Sequence, residues 1–241
     1  MLSIQSTPYS TGATVSGDIW DLDAFLTASF DLLGEENAFY DYESTHRRLT
    51  KTLLRIASAR KGKEEVMVVA NGARRDLLKD RDMITPERNV YFGCKILWPE
   101  LLFTAFGLND FIRLAGEDIK HPHLHVYSME VRLFQAKVIE ALEITLPEED
   151  FTDVKQALLS PQRSTEDYAT QYVDMLAVSF LKVPKEERKV LLPRLARSIV
   201  VGGADYESFK QKVIAEANKT KSAVHDIQLT VDYPKNEDIE W

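Results

Sequence analysis

The chain has 241 residues, of which 44% are hydrophobic and 28% are charged. These ordinary values predict a folded protein with a substantial core and argue against disorder. The net charge of −8 disfavours a general nucleic-acid binder, because such proteins are usually basic, although it does not exclude a local basic patch.

The first part of the chain mixes strand and helix patterns. Residues 2–7 and 13–16 alternate apolar and polar side chains on either side of a loop rich in turn formers, which predicts a β-hairpin. A helix should follow, with Asp21 as its N-cap and Gly34 at its end. A second helix is expected over residues 42–60.

Two further strands are expected before the middle of the chain. Glu65 to Ala70 includes four consecutive apolar residues, a pattern typical of a short buried strand. Asn71-Gly72 is a turn signal, and residues 74–81 are predicted to be a short helix or a loop. Residues 89–97 are the next strand candidate.

A strongly apolar helix is expected to begin at Pro99, whose missing N–H costs nothing in a first turn, and to reach Leu114 or Ala115. Its apolar side chains surround the axis almost completely, so the helix should be buried. These side chains are Leu101, Leu102, Phe103, Ala105, Phe106, Leu108, Phe111 and Ile112.

The last part of the chain is mainly helical in pattern. Residues 127–145 have helical spacing, but their β-branched residues keep a strand over 124–134 as an alternative. Pro193 is expected to kink one of the later helices. The further helices are expected over residues 148–159, 165–181, 185–200 and 204–218, and a last strand over 225–231.

These elements predict an α+β fold in which a small, mostly antiparallel sheet packs on a buried central helix, followed by a mainly helical last third. Residues 1–146 would form the α+β core domain, and residues 147–241 a helical subdomain packed on it. One continuous domain is the alternative.

The most suggestive cluster for chemistry is His121, His123 and His125, which holds three of the five histidines. Residues two apart share a face of an extended strand, so the three imidazoles could converge on one Zn²⁺ or Mn²⁺ ion. The alternative is a solvated loop that binds no cofactor, and Pro122 favours it because proline disrupts regular strand pairing.

A polar group on the central helix is the second candidate site. Asp110 and Arg113 are three residues apart and can pair on one helix face, with Asn109 beside them. They could line a ligand pocket at the end of the helix. Alternatively, they could form a structural ion pair, with the Asn side chain satisfying backbone groups.

Arg47, Lys51 and Arg55 step by four along the second helix and form a basic stripe. The stripe could bind a phosphate or an acidic partner. The alternative is a solvated or internally paired face, because the neighbouring residues 1–46 contain eight acidic residues and neither Lys nor Arg.

Several features point to a cytoplasmic protein. The single cysteine, Cys94, excludes an intramolecular disulfide and fits a reducing compartment. The first residues do not resemble a signal peptide, and the apolar run from Ile96 to Leu108 is too short to cross a bilayer. We therefore expect no membrane partner.

Familiar catalytic signatures are absent, since the sequence contains no nucleophile elbow, phosphate loop or dinucleotide-binding glycine motif. We therefore expect first a non-enzymatic interaction protein, a regulatory or immunity-type binder with a protein partner or a second copy of itself. The alternatives are a metal-dependent hydrolase that uses the three histidines and a small-ligand sensor with a pocket beside the apolar helix.

Two stretches carry a resemblance to a known family. Met1 to Pro8 leads to Gly17-Asp18, and the words Trp98-Pro99-Glu100 and Asn109-Asp110-Phe111-Ile112-Arg113 follow in the segment from Asn89. They resemble a family of uncharacterised bacterial proteins, mainly from Gram-positive spore formers. The resemblance covers about the first 120 residues. It implies a bacterial cytoplasmic protein and supplies no catalytic residues.

Overall fold

A computed structural model describes residues 1–36, 38–73, 86–117, 119–159, 163–229 and 233–241, except the side chains of residues 123 and 236. The helix or loop predicted over 74–81 and the end of the strand predicted over 225–231 lie outside these residues.

Four antiparallel strands form one sheet, in the spatial order β1-β2-β4-β3. They are β1 (Ser3–Ser6), β2 (Gly12–Gly17), β3 (Glu65–Ala70) and β4 (Arg88–Leu97). β1 and β2 form the predicted hairpin, with Ser3 opposite Ser16. The sheet brings the start of the chain beside β4, which leads directly into the central helix.

Eight α-helices lie in the described residues, and with the antiparallel sheet they confirm the predicted α+β fold. They are α1 (Ile19–Leu33), α2 (Glu43–Arg60), α3 (Trp98–Gly116), α4 (Val126–Thr145), α5 (Glu148–Leu159), α6 (Gln171–Leu181), α7 (Arg188–Val200) and α8 (Ala204–Thr220). None of these helices is long and apolar enough to cross a membrane.

The central helix α3 is buried as predicted, and its residues from Leu101 to Ile112 are all buried. Helices α1, α2, α4, α6 and α7 pack around it, together with β2 and β4. The hydrophobic core also runs across residue 146, because the rings of Phe103 and Tyr168 lie 5.0 Å apart. The domain division at residue 146 stays a prediction.

The segment 121–145 is a helix and not a strand. Residues Pro122–Leu124 form one 3-10 turn, and α4 starts at Val126. The choice follows from packing, because the helical spacing of the apolar residues sets Phe134 against α1, where its ring stacks on Phe25 at 4.3 Å. β-branched content alone does not override such a buried face.

The predicted starts of two helices are wrong, and so is the described part of the last predicted strand. The helix expected from residue 165 begins at Gln171, and the helix expected from residue 185 begins at Arg188. In place of the start of the last strand, Val224–Asp226 form a 3-10 turn, and residues 227–229 have no strand structure. Pro193 lies inside α7.

The N-cap of α1 is Asp18 and not Asp21 as expected. An Asp18 carboxylate oxygen accepts hydrogen bonds from the backbone N–H groups of Trp20 and Asp21, both at 2.9 Å. The Asp21 carboxylate accepts from the Asp18 N–H at 3.0 Å, so the two form a capping box. Either aspartate could cap a helix locally, and the start of α1 at Ile19 identifies Asp18 as the cap and Asp21 as the third helical residue.

Replacing Asp18 by Ala should lower the free energy of unfolding by about 0.5–2 kcal/mol, because the first turn of α1 loses its acceptor. Urea denaturation measures the change. Asp31→Ala, on the exposed last turn of the same helix, is the matched control. It removes a negative charge from the wrong end of the helix dipole, so it should be neutral or slightly stabilising. Equal losses from both substitutions would contradict the capping role.

Candidate functional site

The polar group on α3 is held by protein partners. The Asp110 carboxylate accepts hydrogen bonds from the backbone N–H of Thr165 at 2.6 Å, from its hydroxyl at 2.7 Å and from Ser164 at 3.3 Å. Arg113 donates to the Tyr42 hydroxyl at 2.7 Å and to Asp110 at 3.4 Å. These contacts fasten the loop before α6 to the central helix, and they delay the start of α6 to Gln171.

Asn109 is similarly engaged. Its amide donates to the Leu158 carbonyl at 3.1 Å, and its oxygen accepts from Gln135 at 3.2 Å and from Arg132. The side chain therefore links α3 to α4 and α5. A ligand-binding role for the three residues stays a prediction. Asn109 and Asp110 are buried with structural partners, and Arg113 is exposed.

The histidines do not lie on a strand. His121 precedes a 3-10 turn and His125 follows it, so the two-residue spacing no longer places the rings on one face. His125 packs edge-on against Tyr127, with ring centroids 5.2 Å apart. In the ranges that the structure describes, no three His, Cys, Asp or Glu side chains form a metal-binding group. The side chain of His123 is not among the described groups, so metal binding by the three histidines stays a prediction. The strand that would have aligned their rings is absent.

The basic stripe of α2 faces acids from several parts of the chain. Arg47 pairs with Glu43 at 2.5 Å, with Glu36 at 3.7 Å and with Asp226 at 3.6 Å. Glu36 and Glu43 belong to the acid-rich first part of the chain, and Asp226 comes from the C-terminal segment. This end of the stripe is internally paired.

The other end of the stripe lines a cleft. Arg55 lies 3.5 Å from Glu64, and Lys51 is exposed beside it. The C-terminal residues Tyr233–Trp241, here called the strap, form the opposite wall, and the space between has a volume of ≈ 390 Å³. Glu100 at the start of α3 also lines it. The cleft thus lies beside the apolar helix, where a small-ligand pocket was expected.

Specific hydrogen bonds hold the strap in place. The hydroxyl of Tyr233 donates to Asp174 at 3.0 Å. Near the other end, the backbone carbonyl of Glu240 accepts from Thr11 at 2.6 Å and from Arg188 at 2.7 Å. Since these partners lie on α6, the β1–β2 loop and α7, the strap joins three separate elements.

A buried ion network beneath the cleft was not visible in the sequence. The guanidinium of Arg48 is only 9% exposed and contacts Glu100 at 2.5 Å and Asp174 at 2.9 Å. It also donates to the backbone carbonyl of Thr170 at 3.0 Å. Burial alone would lower the pKa of Arg48, but the two carboxylates raise it above its ordinary value. Burial and the Asp174 carboxylate also raise the pKa of Tyr233.

The far end of the sheet forms a second candidate surface. β3 was expected to be buried, yet Val66 is 54% exposed and Val68 is 62% exposed. Val90 on β4, opposite Val68, is 49% exposed. Continuous apolar runs indicate a strand without indicating its place in a sheet, and β3 lies at an edge. The strand is confirmed and its burial is wrong.

The apolar surface arises because the sheet extends past its helical cover. Cys94 and Ile96 are on the same face of β4 as Val90 and are fully covered by the core. α2 ends at Arg60, and beyond the ring of Phe92 this face reaches solvent. This exposed surface is called the ribbon below, and it consists of Val66, Val68 and Ala70 on β3 and of Arg88 and Val90 on β4.

Arg48→Met should lower the free energy of unfolding by about 3 kcal/mol, because Glu100 and Asp174 would keep their partly buried charges without a cation. Denaturant titration at neutral pH gives the value. Arg60→Met, which breaks the more exposed pair with Asp23, is the matched control and should cost less than about 1 kcal/mol. If Arg48→Met cost no more than the control, the network would not be the desolvated tie described here.

Comparison with known proteins gives one match. A family model described as a domain of unknown function, DUF6904, matches residues 2–241. The match is not confined to the first 120 residues and includes the helical last third. No curated protein matches the chain, and no solved structure does either.

Proposed function

We propose that this chain, which belongs to the domain-of-unknown-function family DUF6904, is an interaction protein that assembles with a second copy of itself through β3. The supporting observation is the ribbon. Among the described residues β3 pairs only with β4, and its outer edge exposes backbone N–H and C=O groups beside apolar side chains. Exposed apolar patches of this kind mark interaction surfaces.

Within its own residues, β3 has little of the protection that solitary edge strands usually carry. Natural sheets shield such edges with lysine, proline, bulges or inward-facing charges, because an open edge pairs with other strands. The six residues from Glu65 to Ala70 contain one charge, at the first position, and five apolar residues. An edge of this composition is suited to pairing.

The ribbon also lacks support from the rest of its own sheet. β2 ends opposite Phe92, where Gly17 is its last paired residue, so in the part of the chain that the structure describes Arg88 to Tyr91 pair only with β3. Two-stranded sheets are marginally stable in water. Pairing β3 with β3 of a second copy would make this region four-stranded and would cover its open edge.

Symmetry restricts how two copies can pair. A two-fold axis perpendicular to the sheet makes the strands antiparallel and keeps the exposed valines of both copies on one side. Residues directly opposite in a sheet share a face, so two paired residues of β3 must be an even number of positions apart in the sequence. The residue midway between them therefore lies on the axis, opposite the same residue of the second copy. The central candidates are Met67 and Val68.

Charge complementarity favours Met67. With Met67 on the axis, Glu64 lies opposite Ala70 of the second copy, and Arg88 is next to Ala70 on the same face. Arg88 has no ion pair within the described residues, and its long side chain can reach over the small Ala70 to the carboxylate. With Val68 on the axis, Val66 and not Glu64 lies opposite Ala70 of the second copy, so Arg88 has no carboxylate to pair with at that position.

The proposal predicts that the native protein sizes at twice the mass of one chain, and that Val68→Lys makes it monomeric. The substitution puts like charges near the axis and leaves the folded monomer intact, because Val68 is exposed. Val190→Lys, at a 79% exposed position on α7, is the matched control and should stay dimeric. Light scattering after gel filtration gives the masses. A monomeric wild type, or a dimeric Val68→Lys variant, would refute assembly through β3.

The register is tested by cysteine cross-linking. Met67→Cys should form a covalent dimer on mild oxidation, because opposed Cβ atoms lie about 4.5–5.5 Å apart. Val69→Cys, which would face Glu65 of the second copy, should not. Cys94 should not compete, since burial and the Glu64 carboxylate raise its pKa to about 12. Cross-linking by Val68→Cys instead of Met67→Cys would keep the dimer and reject this register.

We further infer that the protein acts in the bacterial cytoplasm. The resemblance carried by the Trp98-Pro99-Glu100 segment supports a bacterial origin, and a single buried thiol suits a reducing compartment. A regulatory or immunity-type role would use the dimer to present a second surface to another protein.

The alternatives have less support. The metal-dependent hydrolase has lost the strand that would align His121 with His125. The small-ligand sensor is favoured by the strap cleft, but its charges are balanced. Its lining holds two cations, Lys51 and Arg55, and two acids, Glu64 and Glu100, so no surplus charge selects a ligand there.

A further inference from the structure

A second cavity has a surplus of positive charge. It is a groove of ≈ 610 Å³ between α5, α7 and the turn at Val201-Gly202, a size typical of small-molecule sites. Its charged lining residues are Arg163, Arg194, Arg197 and Asp153. Glu207 lies outside the lining but pairs with Arg163, so three guanidiniums meet two carboxylates and one positive charge is left in excess, on a chain whose net charge is −8.

Arg163 is held in a fixed orientation. Its guanidinium carbon lies 3.7 Å from the ring centroid of Tyr206 and 5.2 Å from that of Tyr168. Glu207 approaches its edge only at 3.5 Å. A guanidinium stacked on a ring keeps its N–H groups in a plane along its edge, the geometry that binds the oxygens of a phosphate or carboxylate.

The backbone at Gly202 makes room for this arginine. Gly202 has φ of 78°, which side chains rarely adopt, and a Cβ there would collide with Nη1 of Arg163. A glycine at this position thus lets the guanidinium reach the groove. Val201 and Gly202 border the site directly.

The other two arginines come from one face of α7. Arg194 and Arg197 are three residues apart, so their side chains are neighbours. Arg197 pairs with Asp153 on α5. Arg194 is exposed and has neither an ion pair nor a side-chain hydrogen bond with any described residue, so its donors are available to a ligand.

We propose that this groove binds a phosphate dianion, free or as a phosphate monoester. Arginine forks match phosphate oxygens in pairs, and Arg194 supplies a positive charge that no described carboxylate neutralises. The ordinary alternative is that Arg194 and Arg197 only complement the negative C-terminal end of α7, which requires no ligand. The two explanations differ in whether phosphate binding saturates.

Calorimetric titration of the full chain with inorganic phosphate, at an ionic strength held constant with chloride, tests the site. Saturable binding is expected, and Arg194→Gln should weaken it about tenfold or more, since it removes a charge-assisted hydrogen bond. Arg194 is exposed, so the variant should fold, and unchanged melting without phosphate verifies this. Arg60→Gln, which lies outside the groove, is the matched control and should bind like the wild type.

A second pair of measurements gives an independent check. Gly202→Ala should weaken binding by displacing Arg163, and Arg163→Gln should weaken it without straining the turn. Phenyl phosphate is the probe for the source of the ligand. Tighter binding than that of inorganic phosphate indicates a phosphorylated molecule, and equal binding indicates free phosphate. Binding that does not saturate, or equal affinities in the wild type and Arg194→Gln, would overturn the proposal.

Discussion

The helix Trp98–Gly116 has almost no side that can face water, and the other elements are arranged to cover it. A helix with a single apolar stripe needs one neighbour, whereas one that is apolar around its axis needs a complete sheath. The sheet supplies part of that sheath and five helices supply the rest. Gly107 allows a close approach of α2, because a Cβ there would lie 3.0 Å from the Thr45 methyl group, tighter than an ordinary van der Waals contact.

Covering this helix also buries polar groups, which then require partners. Asp110 is satisfied by Thr165 and Ser164, and Glu100 by Arg48. Each of these bonds joins α3 to a segment far away in the chain, so they determine which segments can take part in the sheath. Such buried bonds add specificity more clearly than they add stability, because desolvation offsets much of the attraction between charges.

The surfaces proposed to bind are outside this sheath. The ribbon extends beyond the end of α2, and the arginine groove lies between α5 and α7, away from the buried face of α3. A rigid core with binding surfaces at its margins is a common division, since residues that satisfy the core are occupied by one another. The polar residues of α3 illustrate this division. Asn109 and Asp110 look functional in the sequence, and in the structure they form hydrogen bonds with Leu158 and Thr165 of the same chain.

Local pattern alone determined the hairpin, the extent of α2, the burial of most of α3 and the helical last third, because each depends on side-chain periodicity over neighbouring residues. Tertiary structure decided what periodicity does not contain. The place of β3 at the sheet edge follows from strand order, so the same valines that predict a buried strand are exposed. The Arg48–Asp174 contact spans 126 residues, and the arginines of the groove meet only when α7 packs beside α5. Such contacts arise from how finished elements pack, and no local spacing specifies that packing.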